Sequence, residues 1–495
     1  MKKIVLLALC LLTISARSQQ WVLNYPYEEG IVLIGGDCNG NGNYIFGACN
    51  KDEITLGYID AYAMFVGNDG GFVERKFCFE GYKSHLCNAV CLENGDAFVV
   101  GVKGGTLANR VYDTLWVAVM NPELEIVDEH NYPLVEPYIT WTTDVYLDFN
   151  NYGEVVVLAD VSEYDFPSMT NGVYAVFKFD THGNMLKSNY FPDGHGVDGA
   201  RPTGLIRVPG SDNMMMIGKG FFVNGFHSIC YIDNDLNKVA AYPLQWLEDN
   251  WNYTDCWKEN GHFLMSSMTH HHGVVNNSYY AAVFEVDEMG RYLDTLVYDR
   301  ADTSDYTAQF GSMAYVGDDA IYIATYWENG MNEQPSDAVI CLIDRELNLK
   351  GTKNLKIDDT KIRIKHCQRT SDGGCLVYGQ CKRSYGCEML CVWKLLPEDF
   401  VIPWTLGEKP EVLPHQKAFP NPTRNYLNIV LDDLNNRRCV VAVGDLNGRK
   451  YFEHRFDCEG MLVLDVSSLE NGVYFYEVIV DDRSVQKEKF IKNKY

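Results

Sequence analysis

The central part of this 495-residue chain repeats one unit seven times. Each unit opens on a tight polar turn followed by a run of β-branched and aromatic residues. The turns fall at Asn41-Gly42, Asn94-Gly95, Tyr152-Gly153, Asp212-Asn213, Asn260-Gly261, Gly317-Asp318 and Asp372-Gly373. Measured between positions 42, 95, 153, 212, 261, 318 and 373, the steps are 53, 58, 59, 49, 57 and 55 residues. A second turn, rich in Asp, Asn, Glu and Gly, follows each first one after 23 to 30 residues, centred on Gly70, Glu123, Gly183, Asp235, Gly290, Glu346 and Glu398. Small polar residues and glycine tolerate the positive φ that tight hairpins need. Runs such as Tyr44-Ile45-Phe46-Gly47 and Ala97-Phe98-Val99-Val100-Gly101 have the composition of packed strands. No long stretch sustains a 3.6-residue apolar period, so helices are not expected to contribute.

Two tight turns per unit, joined by a longer link, make four strands. Four-stranded sheets repeated radially form a β-propeller. A single such sheet cannot bury both faces, but stacked neighbours can. The expected fold is therefore all-β, with a seven-bladed β-propeller over residues 19–406. The period exceeds that of WD40 repeats, and the Gly-His…Trp-Asp signature is missing. Two β-sandwiches would not produce the sevenfold phase. Either Trp21-Val22-Leu23-Asn24-Tyr25-Pro26 or Phe400-Val401-Ile402-Pro403-Trp404 is expected to complete the last blade and cover its edge. Residues 407–416, which contain Pro410 and Pro414, read as an extended linker.

The amino terminus reads as a secretory signal over residues 1–18. Lys2 and Lys3 supply the positive region, Ile4 to Ile14 the apolar region, and Ala16-Arg17-Ser18 a small-x-small cleavage site that predicts a mature start at Gln19. The apolar run is too short to span a bilayer, and no other segment of the sequence could. Cys10 is followed by further apolar residues, so it belongs to that run rather than to a lipoprotein processing site.

Residues 417–495 form a second, smaller β unit. It contains Pro420-Asn421-Pro422, Leu427-Asn428-Ile429, Asp445-Leu446-Asn447-Gly448, and then Leu469 followed by Gly472-Val473-Tyr474. Asp445-Leu446-Asn447-Gly448 and Asn471-Gly472 are hairpin turns, and Val473 to Val480 has strand composition. The order of these blocks resembles the C-terminal sorting domain of the type IX secretion system of Bacteroidetes. The resemblance implies a small immunoglobulin-like β-sandwich read by the export machinery. It also implies release from the cell or attachment at its surface, and no catalytic role.

The formal net charge of -25 argues against nucleic acid as a partner, because phosphate binding needs clustered Lys and Arg. It suits a secreted protein that must remain soluble. Sixteen cysteines are many for this length, and an oxidising route permits disulfides. Cys38 and Cys49 flank one turn, Cys439 and Cys458 lie in the sorting unit, and Cys367, Cys375, Cys381, Cys387 and Cys391 crowd one segment. No C-x-x-C pair occurs, so zinc is not expected. Which cysteines bridge depends on cross-strand geometry and cannot be read from spacing.

In a propeller the longer links share one face, around the channel mouth. Here those links carry aromatics, and Trp141, Trp246, Trp251, Tyr253 and Tyr306 are the candidate ligand-binding residues. Their flat apolar faces with polar edges suit sugars or peptide side chains, and ordinary packing between blades uses the same residues. Asp37-x-Asn39-x-Asn41-Gly42 matches the opening of a calcium loop, but Ala48 stands where the twelfth-position acid belongs. An Asn-Gly hairpin accounts for the same letters. His270-His271-His272 would need metal partners from elsewhere. Asp193 and Asp198 could pair for glycoside hydrolysis, although acids are plentiful here. No cofactor is expected. The preferred function is a non-catalytic binding module for glycan, peptide or protein. The rival is a secreted glycoside or peptide hydrolase, which requires carboxylates converging within about 5–10 Å in the channel.

Overall fold

The computed structural model describes residues 21–26, 31–51, 58–79, 82–104, 112–135, 138–139, 145–163, 172–191, 201–219, 227–244, 254–257, 261–270, 279–298, 305–308, 311–327, 336–357, 359–383, 388–401, 418–419, 423, 425–430, 438–445, 449–457, 461–480 and 483–492. Among them the chain is almost entirely β, with one 3-10 turn at Pro397–Asp399. Seven antiparallel sheets follow one another in sequence, each holding one copy of the repeat. The first consists of Val32–Gly35, Gly42–Lys51, Tyr58–Gly67 and Phe72–Phe77, with short Cys38–Asn39 beside it. The next five span residues 83–133, 138–191, 201–243, 254–298 and 305–355. The seventh takes Thr360–Arg369, Cys375–Arg383 and Glu388–Leu395, and its fourth strand is Trp21–Pro26 from the other end of the chain. The third and sixth sheets gain a fifth strand because their first strand is split in two, as at Asp305–Thr307 and Met313–Gly317.

The N-terminal strand thus closes the seventh sheet, pairing Trp21 with Lys394 through to Pro26 with Met389. The other candidate segment is used elsewhere. Val401 bridges Thr352 on the outer strand of the sixth sheet, and the Phe400 ring tilts against Tyr322 at 5.4 Å.

Strand alternation sends side chains to both faces of each sheet. Both faces are buried, so apolar residues fill seven interfaces. One core joins the first and second sheets through Phe46, Ala63, Leu86 and Trp116. Further cores join second to third through Val117 and Phe177, third to fourth through Leu158 and Met216, and fourth to fifth through Ile217 and Phe263. Leu264 and Ile323 link fifth to sixth, and Tyr322 and Trp393 link sixth to seventh. The last core returns to the start: Leu376, Tyr378, Leu390 and Val392 of the seventh sheet pack on Ile45, Tyr62 and Met64 of the first.

Polar devices recur at these junctions. Lys178 of the third sheet is buried, yet its Nζ reaches Glu154 at 3.1 Å and donates to the Asn234 carbonyl of the fourth at 2.9 Å. Lys394 of the seventh sheet repeats this, with Asp372 at 2.5 Å and the Asn68 carbonyl of the first sheet at 3.2 Å. The seventh-to-first junction therefore uses the same chemistry as an internal one. Tyrosines do similar work: Tyr44 donates to the Gly95 carbonyl and Tyr322 to that of Gly373, each in the following sheet.

The glycine that ends several of the apolar runs has a steric cause. Gly47, Gly101 and Gly379 face a bulge in the adjoining first strand. An added Cβ would stand 1.8 Å from the Val32 oxygen, 2.3 Å from that of His85 and 2.2 Å from that of Arg363. In the third and fifth sheets the paired strand is regular there, and Ala159 and Ser266 suffice.

The second turn of each unit also follows one plan. Asp180, Asp287 and Asp344 each accept two backbone N–H groups of the turn on Oδ1. Three residues later the backbone is left-handed, and glycine occupies that place in three units (Gly70, Gly183 and Gly290). In three others it is Leu124, Leu236 and Leu347, at φ 61, 61 and 62°. A left-handed non-glycine residue costs about 1–2 kcal/mol. Each of these leucines is buried between sheets, and such burial contributes about 1.5–3 kcal/mol, which offsets the strain.

Residues 418–492 hold two further antiparallel sheets. One contains Ala418–Phe419, Tyr426–Val430 and Met461–Asp465, and the other Lys450–Asp457, Arg438–Asp445, Gly472–Val480 and Arg483–Lys492. They share one core, which includes Leu427, Ile429, Leu464, Val441, Tyr476 and Phe490.

Candidate functional site

The innermost strands are tied to one another by polar contacts. Asn43 of the first sheet donates to the Arg369 carbonyl of the seventh at 2.9 Å. Asp37 of the first accepts the Cys91 N–H of the second at 2.9 Å. Asn88 of the second donates to the Val145 carbonyl of the third at 3.2 Å, and Asp148 of the third accepts the Arg207 N–H of the fourth at 2.9 Å. The Ser266 and Ser312 hydroxyls join fifth to sixth, and the Cys367 N–H meets the Gly311 carbonyl at 2.7 Å to join sixth to seventh. Six of the seven junctions are thus tied by described residues.

Within this wall lies a cavity of about 590 Å³ lined by residues of five sheets. Asp37 and Cys38 come from the first, Cys91 and Glu93 from the second, Asp148 and Phe149 from the third, Val316 from the sixth, and Arg369 from the seventh. It opens among the first turns of the repeats.

Its electrostatics centre on Asp37. Oδ1 accepts the Cys38 N–H at 2.8 Å, Oδ2 accepts that of Cys91, and Arg369 Nη2 lies 4.0 Å from Oδ1. Burial raises the Asp37 carboxyl above the usual range, and Arg369 and the backbone donors only partly oppose it. Asp148 is raised for the same first cause, and the charge on Asp37 adds to it. Arg369 is held charged more firmly by Asp37. Burial, reinforced by Asp37, pushes the Cys38 thiol up to about 11 and also raises Cys91. At neutral pH both thiols stay protonated, which disfavours nucleophilic chemistry here.

The same geometry accounts for the calcium-like letters at Asp37 and Asn39. Both Asp37 oxygens face backbone donors, and Asn39 Oδ1 accepts the N–H groups of Asn41 and Gly42, forming the hairpin turn. The Asp37 and Asn39 oxygens are thus engaged in the turn and in the tie to the second sheet. No group of three or more His, Cys, Asp or Glu residues poised for a metal occurs among the described residues.

Of the candidate ligand-binding residues, Trp141, Trp246, Trp251 and Tyr253 lie outside the described residues, as do Asp193, Asp198, His271 and His272. Tyr306 is half-buried on Asp305–Thr307, stacked on Tyr326 with centroids 5.6 Å apart. Asp148, Arg369 and Cys91 were not singled out in the sequence, whereas Cys38 was noted only as flanking a turn with Cys49. One signal was there: Asp37 and Asp148 each stand five places before their turn glycines, Gly42 and Gly153.

The innermost strand of the seventh sheet also carries His366, whose ring Nδ1 is buried. The His366 ring lies parallel to Tyr378 at 5.3 Å, and its Nδ1 has no hydrogen-bond partner. Gly311 packs so closely that a Cβ there would come within 2.4 Å of Nε2. Burial lowers the His366 pKa from 6.5 to about 4. The unfolded chain therefore binds the extra proton first, and this group's contribution to stability is lost as pH falls from about 6.5 to 4. The loss is roughly 3 kcal/mol at the acid end. Denaturant titrations at pH 7 and pH 4.5 should show this decline in the wild type and a smaller one in His366→Phe.

In the smaller unit, Asp445 ends Arg438–Asp445 opposite Tyr474, and the strand Gly472–Val480 begins with Gly472, Val473 and Tyr474. Tyr474 donates to the Glu470 carbonyl at 3.0 Å and stacks on Phe490 at 5.6 Å. Leu469 is buried, its N–H bonded to the Val466 carbonyl. Pro420, Asn421, Pro422 and Gly448 lie outside the described residues. Residues 417–493 match the secretion system C-terminal sorting domain. This domain directs the chain to export by the type IX system, to the cell surface or beyond. Among the described motif residues, Leu469 and Tyr474 thus form turn and core contacts of the domain. No helix among the described residues is long and apolar enough to cross a membrane.

No curated protein matches the sequence. Among solved structures, the chain is similar to the Neurospora crassa Pan2 WD40 domain at 11% identity and TM-score 0.42, covering 76% of this chain and 96% of that one. It is also similar to Synechocystis apocarotenoid oxygenase at 10% identity and TM-score 0.41, covering 77% and 94%. Similarity to the β-1,2-mannobiose phosphorylase of Listeria innocua is 11% at TM-score 0.31, covering 65% and 92%. At these scores the architecture rests on strand pairing and packing rather than on likeness.

Proposed function

We propose that this chain is an exported seven-bladed β-propeller followed by an immunoglobulin-like sorting sandwich, and that the propeller is a non-catalytic binding module. The seventh-to-first core and the repeated lysine device at that junction support the closed ring. The single observation that carries the binding reading is the cavity formed where five sheets meet. Rigid sheets hold its walls, and loops supported in this way are where binding commonly sits. Its ligand belongs to the glycan, peptide or protein classes that the aromatic-bearing links also suit.

The hydrolase reading has one observation in its favour. Asp37 and Asp148 line one cavity, and the charge on Asp37 adds to the raised proton affinity of Asp148. Against it, each of their four oxygens accepts a backbone N–H, which makes both carboxylates ties of the wall. Glycan and peptide arrays probed with the full-length protein, followed by mass analysis of bound material, separate the two. Saturable binding with the ligand recovered intact supports the binding module. Cleaved ligand, lost in Asp148→Asn, establishes the hydrolase instead.

A further inference from the structure

The side-chain hydroxyl and amide donors that line the cavity are engaged inside the protein. Asn39 Nδ2 donates to the Gly95 carbonyl at 2.7 Å, the Thr370 hydroxyl to Asp372 at 2.6 Å, and the Ser371 hydroxyl to the Gly40 carbonyl at 3.1 Å. Arg369 differs. Its Nη2 stands 4.0 Å from Asp37 Oδ1, too far for a hydrogen bond, and its side chain is more than half exposed. The Asp37 oxygens are held by the N–H groups of Cys38 and Cys91, so this carboxylate does not fork the guanidinium. The backbone beneath Arg369 is fixed on both sides. Its carbonyl accepts Asn43 Nδ2, and the Thr370 N–H closes the following turn onto the Gly374 carbonyl. Asp37 also holds the guanidinium more firmly charged. A planar, permanently charged fork on a fixed strand end matches a carboxylate through two parallel hydrogen bonds.

We infer that the cavity receives the C-terminal end of a peptide, with the terminal carboxylate on Arg369 and an apolar last side chain on the wall that includes Phe149 and Val316. The inference rests on the binding-module reading of the same cavity and names its ligand class. Three features select this class. The lining supplies apolar surface from three sheets, through Val90, Phe149 and Val316, beside one cationic side chain. The volume of about 590 Å³ suits the end of a chain rather than a folded partner. The surrounding charge limits how much negative charge can enter. Asp37, Asp148 and exposed Glu93 line the same cavity, and the whole chain carries -25. Such a field repels polyanions, which disfavours polyuronate and sulfated glycans, and it tolerates a single carboxylate that Arg369 neutralises. Capture of a terminal carboxylate is one of the recurring ways in which peptides are recognised.

The test titrates the full-length protein with two pools of labelled short peptides that end in Leu, Val, Ile or Phe. The pools are alike except that one ends in free carboxylates and the other in amides. Fluorescence polarisation should show saturable binding of the free-acid pool, and binding roughly ten- to hundredfold weaker for the amide pool, as expected for lost charge-assisted hydrogen bonds. This comparison is made on the wild-type chain and needs no variant to fold. Arg369→Met should weaken the free-acid pool by a similar factor and leave the amide pool unmoved, a split that general damage to the wall would not produce. Arg369→Lys, which keeps the charge and loses the fork, should fall between the two. Equal affinity for acids and amides, or no binding of either pool up to millimolar peptide, overturns the inference. Neutral glycans bound in place of peptides would overturn it while sustaining the binding module. Peptides recovered shortened at their C-termini would overturn both readings.

Discussion

Removing residues 417–495 should leave the protein in the periplasm, with surface and medium fractions falling to background. The expectation rests on the match of residues 417–493 to the sorting domain and on that domain having its own core. None of its core residues comes from the seven repeat sheets, so their packing should survive the truncation. A truncated protein that is folded, processed and trapped is thus the expected phenotype, read by fractionation and immunoblotting. Undiminished surface delivery would remove the export assignment.

Deleting Trp21–Pro26 while keeping the signal should cost the fold on the order of 3–5 kcal/mol, at about 1 kcal/mol net for each ladder hydrogen bond lost. The strand Glu388–Leu395 would become an edge, although Leu390, Cys391, Val392 and Leu395 on it are buried. Domains commonly have only about 5–15 kcal/mol of stability in total, so the variant should unfold at much lower denaturant or aggregate through the new edge. A midpoint equal to wild type would mean that the N-terminal strand is not part of the seventh blade.

Much of the architecture was legible in the chain because its signals are local. Turn chemistry and strand composition mark each hairpin, and their phase counts the sheets. The glycine closing Val99-Val100-Gly101 was visible as a repeated letter, but its cause, a bulge on the partner strand, needs the register. Closure was narrowed to two segments and not decided, since pairing of Trp21 with Lys394 depends on contacts across nearly the whole chain. The cavity was the least legible part. Arg369, Asp37 and Asp148 are brought together by the winding of the sheets, and only the shared five-residue offset of the two acids from Gly42 and Gly153 marks it in the sequence. The letters at Asp37 and Asn39 fit a hairpin and a calcium loop alike, because turns and metal loops draw on the same oxygen-bearing residues.

Amide hydrogen exchange on the intact protein tests the closed ring most directly. The account predicts that amides of Trp21–Pro26 are protected together with those of Glu388–Leu395, opening as one unit. Rapid exchange in Trp21–Pro26 beside slow exchange in Glu388–Leu395 would contradict it.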